Sequence, residues 1–188
     1  HANNRLAFTP CWRATAATSG GGELMDTGYH PTYLMLYLAG GSPVEATALL
    51  SRHRLRFMDS EDSAQVLVRF DNGVAGHLVT SWAYDPPPGT ERFSVVGERG
   101  SLHSDGRSLT VTMRGSSSQT YDFEDVDTFV SEIGHFADCL RSGTRPLHNE
   151  KEGIDVRGLS LAAYEGARSR TIAPVFRAFC TALLDRTP

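Results

Sequence analysis

Residues 24–39, "LMDTGYHPTYLMLYLA", are apolar along most of their length and are closed by Gly40 and Gly41, the pattern of a helix that enters a core and stops where glycine can turn left-handed. Pro31 sets its expected start. Proline is tolerated in a first turn and disfavours helical geometry in the residue before it, so regular helix is expected from near His30. From Val44 to Phe123 the period changes to two. "AQVLVRFDNGVAGHLVTSW" alternates Ala64, Val66, Val68 and Phe70 against Gln65, Leu67 and Arg69, turns at Asp71-Asn72-Gly73 and resumes with Val74, Gly76 and Leu78, which predicts an antiparallel hairpin. "ERFSVVGERGSLHSDGRSLTVTMRG" adds short strands parted by Gly97, Gly100 and Gly106. The intervening "AYDPPPGT" reads as irregular loop, because its prolines supply no ladder donors.

Helical spacing returns over residues 127–142, where Phe129, Ile133, Phe136, Ala137 and Leu140 share a face and Gly143 ends the run. A second helix is expected over 150–169, its acidic start at Glu150 and Glu152 suiting the helix dipole, and "VFRAFCTALLD" reads as a short amphipathic tail. With helices toward the ends and strands between, the class expected is α+β: an open, mainly antiparallel sheet with helices packed on one face. The other sheet face is then available to a second subunit.

The length of 188 residues suits one domain with a real core, and 40% apolar with 21% charged residues is the composition of a soluble globular protein. A net charge of -4 gives no support to a nucleic-acid partner or an anionic membrane, and no apolar run approaches the ~20 residues of a membrane span. Cys11, Cys139 and Cys180 are odd in number and lack a Cys-x-x-Cys pair, so buried thiols in a reducing compartment, and a cytoplasmic location, are expected. The chain begins at His1 and is expected to be part of a longer one. The glycines at 20–22 follow no predicted strand, and no Gly-x-Gly-x-x-Gly, P-loop, Gly-x-Ser-x-Gly or His-Glu-x-x-His signature is present.

Candidate chemistry sits in "GGGELMDTGYH", residues 20–30. If Asp26 and His30 lie one helical turn apart, they share a face at about 6 Å between Cβ atoms, close enough to act on one small molecule. A histidine near its ordinary pKa of ~6.5 can accept or return a hydroxyl proton, and a nearby carboxylate can orient it. Spacing alone equally accommodates a helix-capping acid and a satisfied histidine.

The neighbouring residues add a resemblance. "CWRATAATSGGGELMDTGYH" followed by "YLMLYLAGGSPV" resembles the Gfo/Idh/MocA family of NAD(P)-dependent oxidoreductases, whose substrate domain carries a Trp-Arg, three glycines and Asp-x-Gly-x-His leading into a helix. "VVGERGSLHSDG" is similar to the family's Gly-x-x-Gly strand turn, and "HFADCLRSGTRPLHNEKEGIDVRGLSLAAYEGARS" to its closing helix pair. The likeness runs from about Asn4 to Val175 and covers only the second half of such an enzyme. It implies a substrate and oligomerisation domain over 1–175, a helical tail over 176–188, and an amino-terminal Rossmann domain, carrying a Glu-Lys-Pro lysine, that this chain lacks.

By that resemblance, His30 exchanges the substrate hydroxyl proton and Asp26 fixes substrate and histidine. Arg13 approaches substrate or cofactor and Trp12 forms a wall. Beside the resemblance, Asn4 and Arg5, which open the first strand, and Tyr29 are further candidates for the substrate-binding set, Arg5 reading equally as a surface charge. The cofactor implied is NAD or NADP, held mainly by the missing domain. The substrate implied is a sugar, inositol or related polyol oxidised at a secondary alcohol, and the partner a second copy bound through the open sheet face. The family commonly has an acid three residues after the histidine, where this chain has Tyr33, and Pro31 beside His30 is a second departure. Two alternatives stand beside this reading. One is a non-catalytic carbohydrate-binding or oligomerisation module, and the other a divalent-metal lyase or isomerase using Asp26, His30 and one of the strand-region histidines His53, His77 or His103.

Overall fold

The computed structural model describes residues 12–87 and 89–175. In chain order the elements are a 3₁₀ turn at Trp12–Ala14, α1 (Ala16–Ser19), α2 (Tyr29–Ala39), β1 (Pro43–Ser51), β2 (Ser63–Phe70), β3 (Ala75–Ser81), β4 (Phe93–Gly97), β5 (Gly100–Ser104), β6 (Ser108–Met113), β7 (Gln119–Asp122), α3 (Thr128–Ser142), α4 (Glu150–Ser169) and β8 (Ala173–Pro174). The class is α+β with open antiparallel sheets. The strands divide, however, into two four-stranded sheets, ordered β3-β2-β1-β8 and β4-β5-β6-β7. They belong to two compact units that part at Asp85/Pro86 and Leu147/His148. The first division falls in the proline loop, where the backbone cannot continue a ladder.

In the first unit, α2 and α4 cover one face of the sheet. Alternation along β2 buries Ala64, Val66, Val68 and Phe70 beside Ala46, Ala48 and Leu78 of its neighbours, and Leu24, Leu159, Ala162 and Ala163 close the core from the helical side. Small residues set the helix-to-sheet spacing. A Cβ added at Gly166 of α4 would lie 2.8 Å from the Ala46 carbonyl oxygen, and one at Gly76 of β3 would lie 2.5 Å from Met35 Sδ of α2. The opposite face exposes Leu49 and Val79, both paired with Gln65, and Leu67 two residues further along β2, beside an Arg69–Glu45 ion pair at 3.3 Å.

The hairpin turn at 71–73 also finishes α2. Gly73 takes a positive φ of 86°. Asn72 Nδ2 donates to the Ala39 carbonyl at 2.8 Å, and Ser42 N–H donates to Asp71 Oδ1 at 2.8 Å, so the β2–β3 turn satisfies groups at the end of the helix. α4 opens on a reciprocal cap: Lys151 N–H donates to Asn149 Oδ1 at 3.1 Å, and Asn149 N–H to Glu152 Oε2 at 3.0 Å. Asp62, fully buried, accepts from the backbone N–H groups of His53, Arg54 and Leu55 and from Ser63 Oγ, fixing the chain between β1 and β2.

In the second unit, β4 to β7 form a meander with tight turns, and α3 is capped by Asp127, whose side chain accepts from Phe129 and Val130 N–H. The shared apolar face expected for this helix is present, but Phe129, Ile133, Phe136 and Leu140 are all exposed. Cys139 is buried and free, while Cys11 and Cys180 lie outside the described residues. The tail expected beyond Val175 also lies outside them. Among the described residues no helix is long and apolar enough to cross a membrane.

Candidate functional site

The site grows from the glycines. Gly20, at φ 82°, ends α1 in the left-handed conformation that a side chain resists. Gly21 and Gly22 are needed for a different reason: a Cβ at Gly21 would lie 2.4 Å from the Tyr164 hydroxyl, and one at Gly22 would lie 2.0 Å from the Glu61 carbonyl oxygen. The segment is thereby pressed against α4 and the approach to β2. Tyr164 donates to Glu61 Oε1 at 2.7 Å and accepts from Gly22 N–H at 3.1 Å, while Leu24 N–H donates to the same Glu61 oxygen at 3.1 Å. Burial, followed by the charge and hydrogen bond of Glu61, pushes the Tyr164 hydroxyl far above its ordinary pKa, so it acts as a donor throughout.

Residues 23–28 form a tight turn on a fully buried Leu24. Glu23 N–H donates to the Glu61 carbonyl at 3.1 Å, and Gly28 N–H returns to the Glu23 carbonyl at 2.8 Å. α2 starts at Tyr29 after Gly28, with no side-chain cap. Asp26 and His30 are therefore divided between turn and helix and are not carried on one helical turn, because the turn closes on Leu24 and Gly28 before helical geometry begins. Asp26 is not the capping acid that spacing alone also allowed. Its partner is Arg13, whose Nε lies 3.1 Å from Oδ2, and among the described residues no hydrogen bond joins it to His30.

Arg13 comes from the 3₁₀ turn, which Ala14 anchors against Leu55, Met58 and Trp82. Its guanidinium carbon also lies 4.8 Å from the Trp12 ring centroid, so Trp12, Arg13 and Asp26 form one group at a partly open surface. The His30 side chain is exposed. Tyr29 meets it edge to face at 6.0 Å between ring centroids and hydrogen-bonds through its hydroxyl to His148 Nε2 at 2.7 Å. Burial, then Tyr33 and Glu152, raises the Tyr29 hydroxyl above its usual pKa. Asn4 and Arg5 lie outside the described residues. A shallow groove of about 550 Å³ lined by Gly20, Gly21, Leu50, Glu61, Leu161 and Tyr164 does not include Asp26 or His30. Among the described residues no three His, Cys, Asp or Glu side chains are grouped to hold a metal ion.

Two residues absent from the sequence reading stand close to this group. His148, from the loop before α4, stacks on Tyr33 at 4.0 Å and 23°, so the tyrosine found where an acid is common packs against a second imidazole. Nothing in the local pattern marks that contact. Glu23 is 2% exposed. Its Oε1 accepts from Thr27 Oγ1 at 2.8 Å and from Thr80 Oγ1 of β3, and Thr27 Oγ1 in turn accepts from Trp82 Nε1 at 2.7 Å. Its Oε2 is buried and has no partner among the described residues. Burial, opposed by the Thr80 and Thr27 hydrogen bonds and assisted by the charges of Glu61 and Asp26, pushes this carboxyl up to about 7. An acid directly after the three glycines was its only signal in the sequence.

No curated protein sequence matches the chain. Among solved structures, it resembles an aldose-aldose oxidoreductase from Caulobacter crescentus complexed with glycerol, at 24% identity and a TM-score of 0.74 over 88% of this chain and 51% of that one. It resembles an NAD binding oxidoreductase from Klebsiella pneumoniae at 22% identity and a TM-score of 0.78, over 90% of this chain and 54% of that one. A levoglucosan dehydrogenase solved with NADH gives 19% identity and a TM-score of 0.78 over 90% and 54%. At these identities the likeness is one of fold, and the chain spans about half the length of each. The GFO/IDH/MocA C-terminal domain model matches residues 1–103, more than half of the 188, and its span contains the Trp-Arg turn, the three glycines, Asp26 and His30. This chain belongs to the GFO/IDH/MocA C-terminal domain family.

Proposed function

We propose that the chain is the substrate-binding and catalytic half of an NAD(P)-dependent oxidoreductase acting at a secondary alcohol of a sugar, inositol or related polyol, active only when joined to a dinucleotide-binding half. The observation that carries this reading is the placement of an exposed imidazole at the start of α2 and an arginine-held carboxylate on the turn that leads into it, both within the family's matched span. Relatives of this fold are a sugar-named oxidoreductase solved with glycerol and a levoglucosan dehydrogenase solved with NADH and L-sorbose.

The chain's own groups divide the work. His30 takes the proton of the substrate hydroxyl during oxidation and returns it in the reverse direction. Asp26, oriented by Arg13, accepts a hydrogen bond from a neighbouring hydroxyl, and Trp12 and Tyr29 border the substrate. Bound NAD(P) would supply a nicotinamide to accept the hydride from the alcohol carbon. The pyrophosphate is assigned to the dinucleotide-binding half, a reading supported by Tyr164 and Glu61, which press on Gly21 and Gly22. The half-exposed Arg13 is the group available to a cofactor carried elsewhere. A second copy is proposed to pack on the sheet face that exposes Leu49, Leu67 and Val79, and the cysteine pattern supports a cytoplasmic location.

The test is to join the chain to its dinucleotide-binding half and follow NADH formation over a panel of polyols and sugars. Substrate-dependent reduction that fails in His30→Ala is expected. Unchanged turnover in that variant overturns the proton-transfer role, and polyol binding without any reduction identifies a non-catalytic module.

A further inference from the structure

Glu23 occupies a position that packing alone does not call for. A carboxyl group 2% exposed loses its hydration, and replacing that loss requires partners for both oxygens. Here Oε1 has two hydroxyl donors and Oε2 has none among the described residues. The Thr27 and Thr80 hydroxyls favour a charge on it, but its burial and the two carboxyl groups that face it argue against one. Glu61, from the chain leading into β2, is buried with its carboxylate occupied by Tyr164 and Leu24 N–H, and Asp26 lies on the same turn. β3 contributes only the Thr80 hydroxyl, and the nearby cation, Arg13, is engaged with Asp26. At the same time the Glu23 backbone fastens both ends of the turn, through Glu61 and Gly28.

We propose that Glu23 is a positioning residue whose protonation holds the turn bearing Asp26 and leading into His30, so that loss of its proton sets the buried carboxylate against Glu61 and Asp26, displaces the turn and disarms the site from within. The inference rests on the reading of Asp26 and His30 given above. Ionisation places a third negative charge beside Glu61 and Asp26 in a poorly solvated space, and the least costly relief is to open the turn to water. The carboxyl's elevated range, about 7, puts that change where cells operate.

The Trp82 indole N–H reports on Glu23 through Thr27. In ¹H–¹⁵N spectra of the full chain recorded from pH 5 to 9, its resonance is expected to move through a transition near pH 7, and the backbone amides of Asp26 and Gly28 to shift with it. Glu23→Gln, which cannot ionise, is expected to abolish the Trp82 transition and the amide shifts that accompany it. A Trp82 resonance that titrates identically in wild type and Glu23→Gln overturns the proposal, as does a Trp82 transition with no counterpart in the Asp26 and Gly28 amides. Should the variant not fold, the Glu23 carboxyl ¹³C shift in the wild-type chain decides: a carboxylate already ionised at pH 5 overturns it. Joined to the dinucleotide-binding half, Glu23→Gln is expected to lose the alkaline fall in kcat while KM changes less than twofold. The spectra need no turnover, so failure of the oxidoreductase reading, seen as an active His30→Ala, is distinguishable from failure of this inference.

Discussion

Arg13 reaches from the 3₁₀ turn to place its Nε 3.1 Å from Oδ2 of Asp26, tying the front of the glycine loop to the turn behind it. With one partner half exposed and the other about a third exposed, the pair stabilises the fold by no more than about 1 kcal/mol. Arg13→Ala should therefore barely move the denaturation midpoint. Its expected effect is kinetic: a loss of about tenfold or more in kcat/KM in the joined enzyme, equivalent to ~1.4 kcal/mol of transition-state binding. Equal losses in stability and activity would mean that the pair only holds the loop.

For His30 the expectation is larger. Removing a positioned acid–base group costs roughly 10²- to 10⁴-fold in kcat, so His30→Ala should fall in that range while the chain, having lost an exposed ring, keeps its midpoint. Steady-state rates and a denaturant titration on the same preparation check both halves.

Two glycines should respond to alanine with opposite signs. At Gly22 the added methyl meets the Glu61 backbone carbonyl at 2.0 Å, an obstacle no rotamer relieves, and a destabilisation of about 3 kcal/mol or more is expected. Gly134, exposed within α3, has nothing within 4 Å of its added Cβ, so Gly134→Ala should stabilise by roughly 0.5–1 kcal/mol. Urea midpoints of the two variants test the pair of signs.

The pH dependence of stability follows from two acids that are shifted in opposite directions. Glu23 binds its proton more tightly in the folded chain than in the unfolded one, so its contribution is fully present below the unfolded value of 4.5 and is lost as pH rises through about 7. Glu23→Gln should therefore gain stability relative to wild type between pH 5 and 8, by up to about 3 kcal/mol. Asp62 runs the other way. Burial works against its charge, but the N–H groups of Leu55, His53 and Arg54, with Ser63, hold its carboxyl below the ordinary range. Its contribution is present above the unfolded value of 3.8 and is lost as pH falls through the lower folded one. Asp62→Ala should cost about 2–3 kcal/mol at neutral pH and flatten the acid limb of the stability curve.

The β2–β3 hairpin was legible because its period and its Asp-Asn-Gly turn are local, α3 because Gly143 ends it, and α4 because Glu150 and Glu152 give it an acidic start. Why residues 21 and 22 are glycine was not readable, because Tyr164 and Glu61, which press on them, come from far along the chain. Strand period is blind to partner choice. It showed that β1 to β7 would alternate, but not that strands before and after the proline loop pair in separate sheets. For the site, the motif pointed to Arg13, Asp26 and His30, whereas His148 against Tyr33 and Glu23 beneath Thr80 depend on contacts that only the folded chain brings together.

The amide of Asn72 has a consequence for the chemical ageing of the protein. An asparagine followed by glycine is open to attack by the next backbone nitrogen on its side-chain carbonyl, which releases ammonia and leaves an acid. Here that exchange would remove the donor that Ala39 receives at 2.8 Å and set a negative charge at the carbonyl end of α2, where the helix dipole is already negative. Damage at a surface turn would thus be felt along the helix that carries His30.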